Sequence, residues 1–192
     1  MPDPNPAVER ATRLLLTRPP TLGGVRLGVV DGPSGSGKST FAQLWVDALT
    51  SAGCGSVTLF SSDLLATWTD PFGWWQPFDE GVLRALAAGA TGHVQLTDWS
   101  SGDPRPGDWL AVPPVEVLIL EGVSCGRRAL GDRVGVLIWL PGPNSAARLE
   151  RAVGRDGEES RRFLTAWQDD EDAFFRADRT AERADLVVPP PD

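Results

Sequence analysis

Along the chain, near-continuous apolar runs occur at 26–31, 56–60, 115–120 and 134–140, with a shorter fifth at 185–188. Short apolar runs bounded by Gly, Pro and Asp mark strands buried on both faces, as in a parallel sheet covered by helices. Between them, apolar residues recur at spacings of three and four, which predicts helices over 39–52, 79–88, 145–153 and 158–179. This β-α alternation implies an open α/β sheet. Ahead of the first strand, Val8, Ala11, Leu14 and Leu15 share one face of a short helix over 7–17 that Pro19 and Pro20 end, and 1–6 reads as an extension without regular structure.

The segment 91–114 breaks the alternation. It is rich in Gly, Pro, Asp and Trp and too long for an ordinary connection, which marks an insertion serving a site.

Composition narrows the function classes. At 192 residues the chain suits one domain that buries its core without disulfides or a structural metal. The net charge of −8 repels a nucleic acid polymer or an anionic membrane on average. Cys54 and Cys125 are far apart and His93 is the single histidine, so neither structural zinc nor a histidine triad has its material. No apolar run approaches a membrane span, and the N-terminus lacks the basic-then-apolar order of a secretory signal, so the cytoplasm is the expected compartment. Self-association is left open.

The strongest chemical signal is GPSGSGKST: Gly32, Pro33, Ser34, Gly35, Ser36, Gly37, Lys38, Ser39 and Thr40. It satisfies G-x-x-x-x-G-K-[ST] directly between a strand and a helix, the context in which this loop cradles phosphates. Glycines let backbone amides converge on phosphate oxygens at the positive end of the helix, Lys38 reaches the β- and γ-phosphates, and Ser39 can ligate Mg²⁺. No Asn-Lys-x-Asp stretch of guanine-specific proteins is present, which favours ATP.

Acidic and basic residues follow at the carboxyl ends of the strands, where ligands of open α/β sheets gather. Glu121 ends the third run as a candidate Mg²⁺ ligand, and Asp63 follows the second as a candidate general base or a helix N-cap. Arg148, Arg151 and Arg155 share one helical face. Their repulsion is relieved either by a transferring phosphoryl group or by solvent, Glu150 and Asp156.

With these residues in order, the chain resembles the uridine kinase-like branch of P-loop small-molecule kinases: GPSGSGKST, Asp63, Glu121-Gly122, the run from Arg148 to Asp156, and Arg183-Ala184-Asp185. The resemblance implies a P-loop three-layer α/β/α fold with five parallel strands in the order 2-3-1-4-5. It implies Asp63 as base, Mg²⁺ near Ser39 and Glu121, an arginine lid over 144–160, and Arg183 in a loop near the adenine. One domain over 1–192 then comprises an N-terminal extension and helix (1–20), the insertion (91–114) beside an acceptor, and the lid. Uridine-cytidine kinases grip the base with Tyr-Asp-Phe and a histidine on the inserted hairpin; here Thr97, Asp98 and Trp99 stand there, no histidine follows, and Asp70 is the substitute for the acid that holds ribose.

Of eight tryptophans, Trp68, Trp74, Trp75, Trp99 and Trp109 fall in the two segments expected to flank the acceptor, where they either stack on a ring or pack the lid, Trp99 being the candidate for stacking. Trp45, Trp139 and Trp167 read as core, and His93 is given no role. The expected activity is transfer of the γ-phosphoryl group of ATP to a hydroxyl of a small, nucleoside-like molecule. The alternatives are a nucleoside monophosphate kinase, disfavoured because 63–80 contains no Arg or Lys, and a nucleotide-dependent binding module.

Overall fold

A computed structural model describes residues 5–190. Most of the expected N-terminal extension lies outside the described residues. Its last two positions do not: Asn5 caps a helix, α1 (Pro6–Thr17), by accepting the Ala7 and Val8 amides on Oδ1, and Pro6 occupies the first turn, where a missing N–H costs nothing.

Five strands form one parallel sheet: β1 (Arg26–Asp31), β2 (Val57–Ser61), β5 (Val117–Glu121), β6 (Val136–Trp139) and β7 (Leu186–Val187). Their spatial order is β2-β5-β1-β6-β7, which is 2-3-1-4-5 when only these strands are counted. The insertion supplies the other two, β3 (Gly92–Asp98) and β4 (Arg105–Val112), an antiparallel hairpin with a register shift between Gln95 and Thr97.

One face of the sheet is covered by α1 and by α2 (Lys38–Ser51), whose Val8, Leu15, Phe41 and Trp45 pack on Val30, Ile119 and Ile138. The other face buries Phe78, Val82 and Leu86 of a helix over 75–87 against Val29, Leu118 and Leu120, and the hairpin adds Val94 and Val112. That helix begins four residues before the expected start, because Trp74 and Phe78 gain burial there, and it widens into a π turn at Asp79–Leu83.

The region after β6 forms a helix over Ser145–Asp156, the lid helix, then a turn at Glu158–Ser160 and a long helix over Arg161–Asp178. The expected single helix over 158–179 is thus shortened at both ends, and its last turn closes on Arg179 in the left-handed region.

Candidate functional site

The sheet register assembles the site. Glu121 on β5, the strand between β2 and β1, lies beside Val30 of β1 and Ser61 of β2, so its carboxylate stands between the loop after β1 and the segment carrying Asp63. β1 ends at Asp31, which is fully buried. Its Oδ1 accepts the amides of Gly32 (2.7 Å) and Ser124 (2.9 Å), and its Oδ2 that of Gly126 (2.7 Å). Burial pushes this carboxyl up to about 7, against the pull of those amides and the Lys38 ammonium. The chemistry of the motif did not mark Asp31, although a charged residue ending an apolar strand was a visible signal.

In front of the loop lies a cavity of about 310 Å³ lined by Ser34, Gly35, Gly37, Lys38, Ser39 and Thr40 on one side and by Asp63, Glu121, Arg151 and Arg155 on the other. Gly32, Pro33 and Ser36 are buried behind this wall, and Lys38 Nζ donates to the Pro33 carbonyl at 3.0 Å. The Ser36 hydroxyl is buried without a partner, and a Cβ on Gly37 would meet no atom within 4 Å. A cradle with unused donors at a helix N-terminus fits the phosphates of a nucleotide.

Ser39 Oγ donates to Glu121 Oε2 at 3.3 Å. Burial raises the Glu121 pKa, Asp63 adds to the rise, and the Ser61 and Ser39 hydroxyls and Lys38 oppose it. A hydroxyl and a carboxylate form the oxygen donor set that suits Mg²⁺. Among the described residues no three His, Cys, Asp or Glu side chains converge, so an ion held by Ser39 and Glu121 would complete its shell with phosphate oxygens and water.

The three lid arginines do not act alike. Arg151 and Arg155 face the cavity, whereas Arg148 is buried beneath the loop, its Nη1 3.4 Å from the Ser34 carbonyl and 3.7 Å from Glu171 Oε2. Arg155 forks onto Asp156 at 2.6 and 2.7 Å, and Glu150 pairs with Arg161 rather than with the arginine face.

A second cavity, of about 210 Å³, shares Ser34, Asp63 and Arg155 with the first and is closed by Ala66, Thr67, Trp68, Trp99, Asp156, Leu164 and Trp167. Asp63 borders both cavities, and the cap of the short turn it occupies is Ser61, whose Oγ accepts the Asp63 amide at 3.3 Å. Trp68 meets Trp99 edge-on at 5.9 Å, Trp167 edge-on at 5.5 Å and Phe163 in a stack at 5.7 Å. Trp167, expected in the core, is therefore also a cavity wall: the long helix turns its aromatic face toward the hairpin as well as the sheet. The Thr97 hydroxyl donates to the Leu65 carbonyl at 3.1 Å and fixes the hairpin over this cavity.

Other candidates stand elsewhere. Asp98 faces solvent and accepts the Ser100 amide and hydroxyl at 2.8 and 3.0 Å. Asp70 lines a separate groove with Phe72, Trp75 and Arg127. Arg183 donates to the Gly126 carbonyl at 3.0 Å and pairs with Asp178, behind the Asp31 network and off both cavities. Trp74 packs in the core, donating to Ser124 Oγ at 3.2 Å, with the Arg127 guanidinium 4.8 Å from its ring and 5.0 Å from that of Trp75. Trp109 is 67% exposed on the hairpin, while Trp45 and Trp139 are buried as expected.

No protein-family model matches the sequence, and no curated protein matches it. Among solved structures, a protein described as a possible uridine kinase from Bacillus stearothermophilus aligns over 95% of this chain and 97% of its own, with a TM-score of 0.69 and 18% identity. A candidate fructose transport system kinase from Silicibacter sp. TM1040 aligns over 96% and 100%, with a TM-score of 0.61 and 24% identity. Five parallel strands in this order, helices on both faces and a phosphate loop after the first strand give the chain the three-layer α/β fold of P-loop kinases.

Proposed function

We propose that this protein transfers the γ-phosphoryl group of ATP to a hydroxyl of a small, neutral, ring-bearing acceptor of nucleoside-like chemistry. The observation that carries the reading is the junction of two unlike cavities at Asp63 and Arg155, one built from main-chain amides, an ammonium and arginines, the other from three indoles. The first suits a polyphosphate and the second suits the face of a ring.

In this reading the acceptor hydroxyl lies at the junction, gives its proton to Asp63, and its oxygen attacks the γ-phosphorus as the bond to ADP breaks. Lys38, the loop amides, Arg151 and Arg155 offset the charge on the transferring group, and Mg²⁺ held by Ser39 and Glu121 would neutralise the β- and γ-oxygens. Arg155 is the one basic side chain lining the acceptor cavity, and in this reading it serves the transferring group, which leaves no second cation there for a phosphorylated acceptor. With no helix among the described residues long and apolar enough to cross a membrane, work on small molecules in the cytoplasm is consistent with this role.

The test is a screen of nucleosides, sugars and vitamin-like alcohols for acceptor-stimulated ADP release. With the best acceptor, Asp63→Asn is expected to lower kcat about 100-fold or more while Mg-ATP binding persists. Unchanged turnover would remove Asp63 from the role of base, and rapid hydrolysis of ATP without any acceptor would make the protein an ATPase.

A further inference from the structure

The aromatic face of the long helix is interrupted by one acid, Glu171, three residues before Phe174 and four after Trp167. A leucine would fill this position on packing grounds alone, yet Glu171 is 0% exposed. Burying a carboxylate costs several kcal/mol unless it is paired and hydrogen-bonded, so its partners carry the explanation. Those partners are the phosphate loop and the lid helix. Glu171 accepts the Ser34 amide at 3.0 Å on Oε2 and the Ser34 hydroxyl on Oε1, and Arg148 lies 3.7 Å away. Arg148 in turn donates to the Ser34 carbonyl at 3.4 Å, so every polar atom of Ser34 is held by this pair.

The contact is tight on the backbone side as well. A Cβ on Gly35 would come within 2.8 Å of the Arg148 carbonyl oxygen, and one on Gly142 within 2.7 Å of Ser36 Cα. The chain entering the lid helix and its first turn thus lie directly on the loop. Arg151 and Arg155, one and two turns further along the same rigid helix, are the residues that reach the cavity.

We infer that Glu171 is a positioning residue: with Arg148 it clamps Ser34, locks the lid helix to the phosphate loop, and so presents Arg151 and Arg155 to the transferring group in fixed geometry. This rests on the phosphoryl-transfer reading for its catalytic consequence, but the clamp itself is a structural claim about this chain.

The test compares wild type, Glu171→Ala, Glu171→Gln, Arg148→Met and the Arg148→Met/Glu171→Ala double variant. Glu171→Ala is expected to lower kcat by about 100-fold, the scale of a displaced catalytic group, with KM for the acceptor and affinity for Mg-ADP nearly unchanged. Glu171→Gln, which keeps an acceptor for the Ser34 amide, is expected to recover part of the loss, and the double variant to be no worse than the poorer single one. Losses that multiply would show independent roles and overturn the clamp. So would tighter Mg-ATP binding by Glu171→Ala, which would mean that Glu171 competes with phosphate for the Ser34 amide. A purely structural Glu171 would lower the melting temperature and leave kcat of the folded variant intact, which also overturns the inference. If wild type phosphorylates no acceptor, the activity reading fails separately, and amide exchange without nucleotide still decides the clamp. Exchange in 145–156 should then quicken about 10-fold or more in Glu171→Ala while that in α2 stays constant, and unchanged exchange there would sink it.

Discussion

A single methyl group added at Gly37 separates the phosphate cradle from the stability of the fold. Gly37 has φ 94°, and a Cβ there meets nothing within 4 Å, so Gly37→Ala introduces backbone strain without a clash. A left-handed non-glycine residue costs ~1–2 kcal/mol, and the loss of glycine's freedom in the unfolded chain returns ~0.4–1 kcal/mol. The net of roughly 1 kcal/mol corresponds to a melting temperature lower by about 2–4 °C for a chain of this size. Gly37 also lines the cavity, so in the proposed reading the methyl crowds phosphate oxygens that would approach the loop amides. Losing two hydrogen bonds to a charged group, at ~1.5–3 kcal/mol each, weakens Mg-ATP binding by about 10²–10⁴-fold. Calorimetric titration with Mg-ATP beside thermal unfolding measures both quantities on one sample. Gly35→Ala is the control, since its Cβ lies 2.8 Å from the Arg148 backbone oxygen and must push the lid helix away, so stability and binding should fall together. Gly37→Ala that unfolds as predicted yet binds Mg-ATP like wild type would refute the assignment of this cavity to phosphates.

Two further outcomes follow from the same geometry. Trp99→Ala removes one indole face from the acceptor cavity and is expected to raise the acceptor KM about 10-fold, equivalent to ~1.4 kcal/mol, with Mg-ATP affinity within about twofold; steady-state kinetics with both substrates varied would count against the cavity if the ATP term moved instead. Burial lifts the Asp31 carboxyl from 3.8 to about 7, so its stabilising effect is complete below the lower value and is lost as pH rises through the upper one. Guanidinium midpoints should therefore be higher at pH 5 than at pH 8, the unfolding free energy falling by about 2–3 kcal/mol from this group over that range, and Asp31→Asn should flatten the difference; a midpoint that rises over this range in wild type would contradict it.

The elements legible from sequence were those set by neighbouring residues. Strand, turn, lysine and helix of the phosphate loop are contiguous, and the apolar runs of β1 and β6 hold no internal charged residue, while that of β5 is broken only by Glu116, just ahead of the strand. The order of the parallel strands came from resemblance, and the sheet bears it out. The π turn at Asp79–Leu83 and the early start of its helix were not legible, because burial of Trp74 and Phe78 decides them rather than a local period.

The sequence alone determined that a glycine-rich P-loop motif follows the first strand, that Glu121 ends another and that Asp63 stands just past a third, because a strand's carboxyl end is fixed by where its apolar run stops. Only the tertiary structure divided three arginines of one helical face, burying Arg148 and leaving Arg151 and Arg155 in the cavity, since that choice depends on the angle at which the lid helix meets the loop. It also brought Trp68, Trp99 and Trp167 to one corner and set Glu171 on Ser34. These contacts join residues 31 to 137 positions apart, and no local pattern encodes a meeting that packing alone brings about.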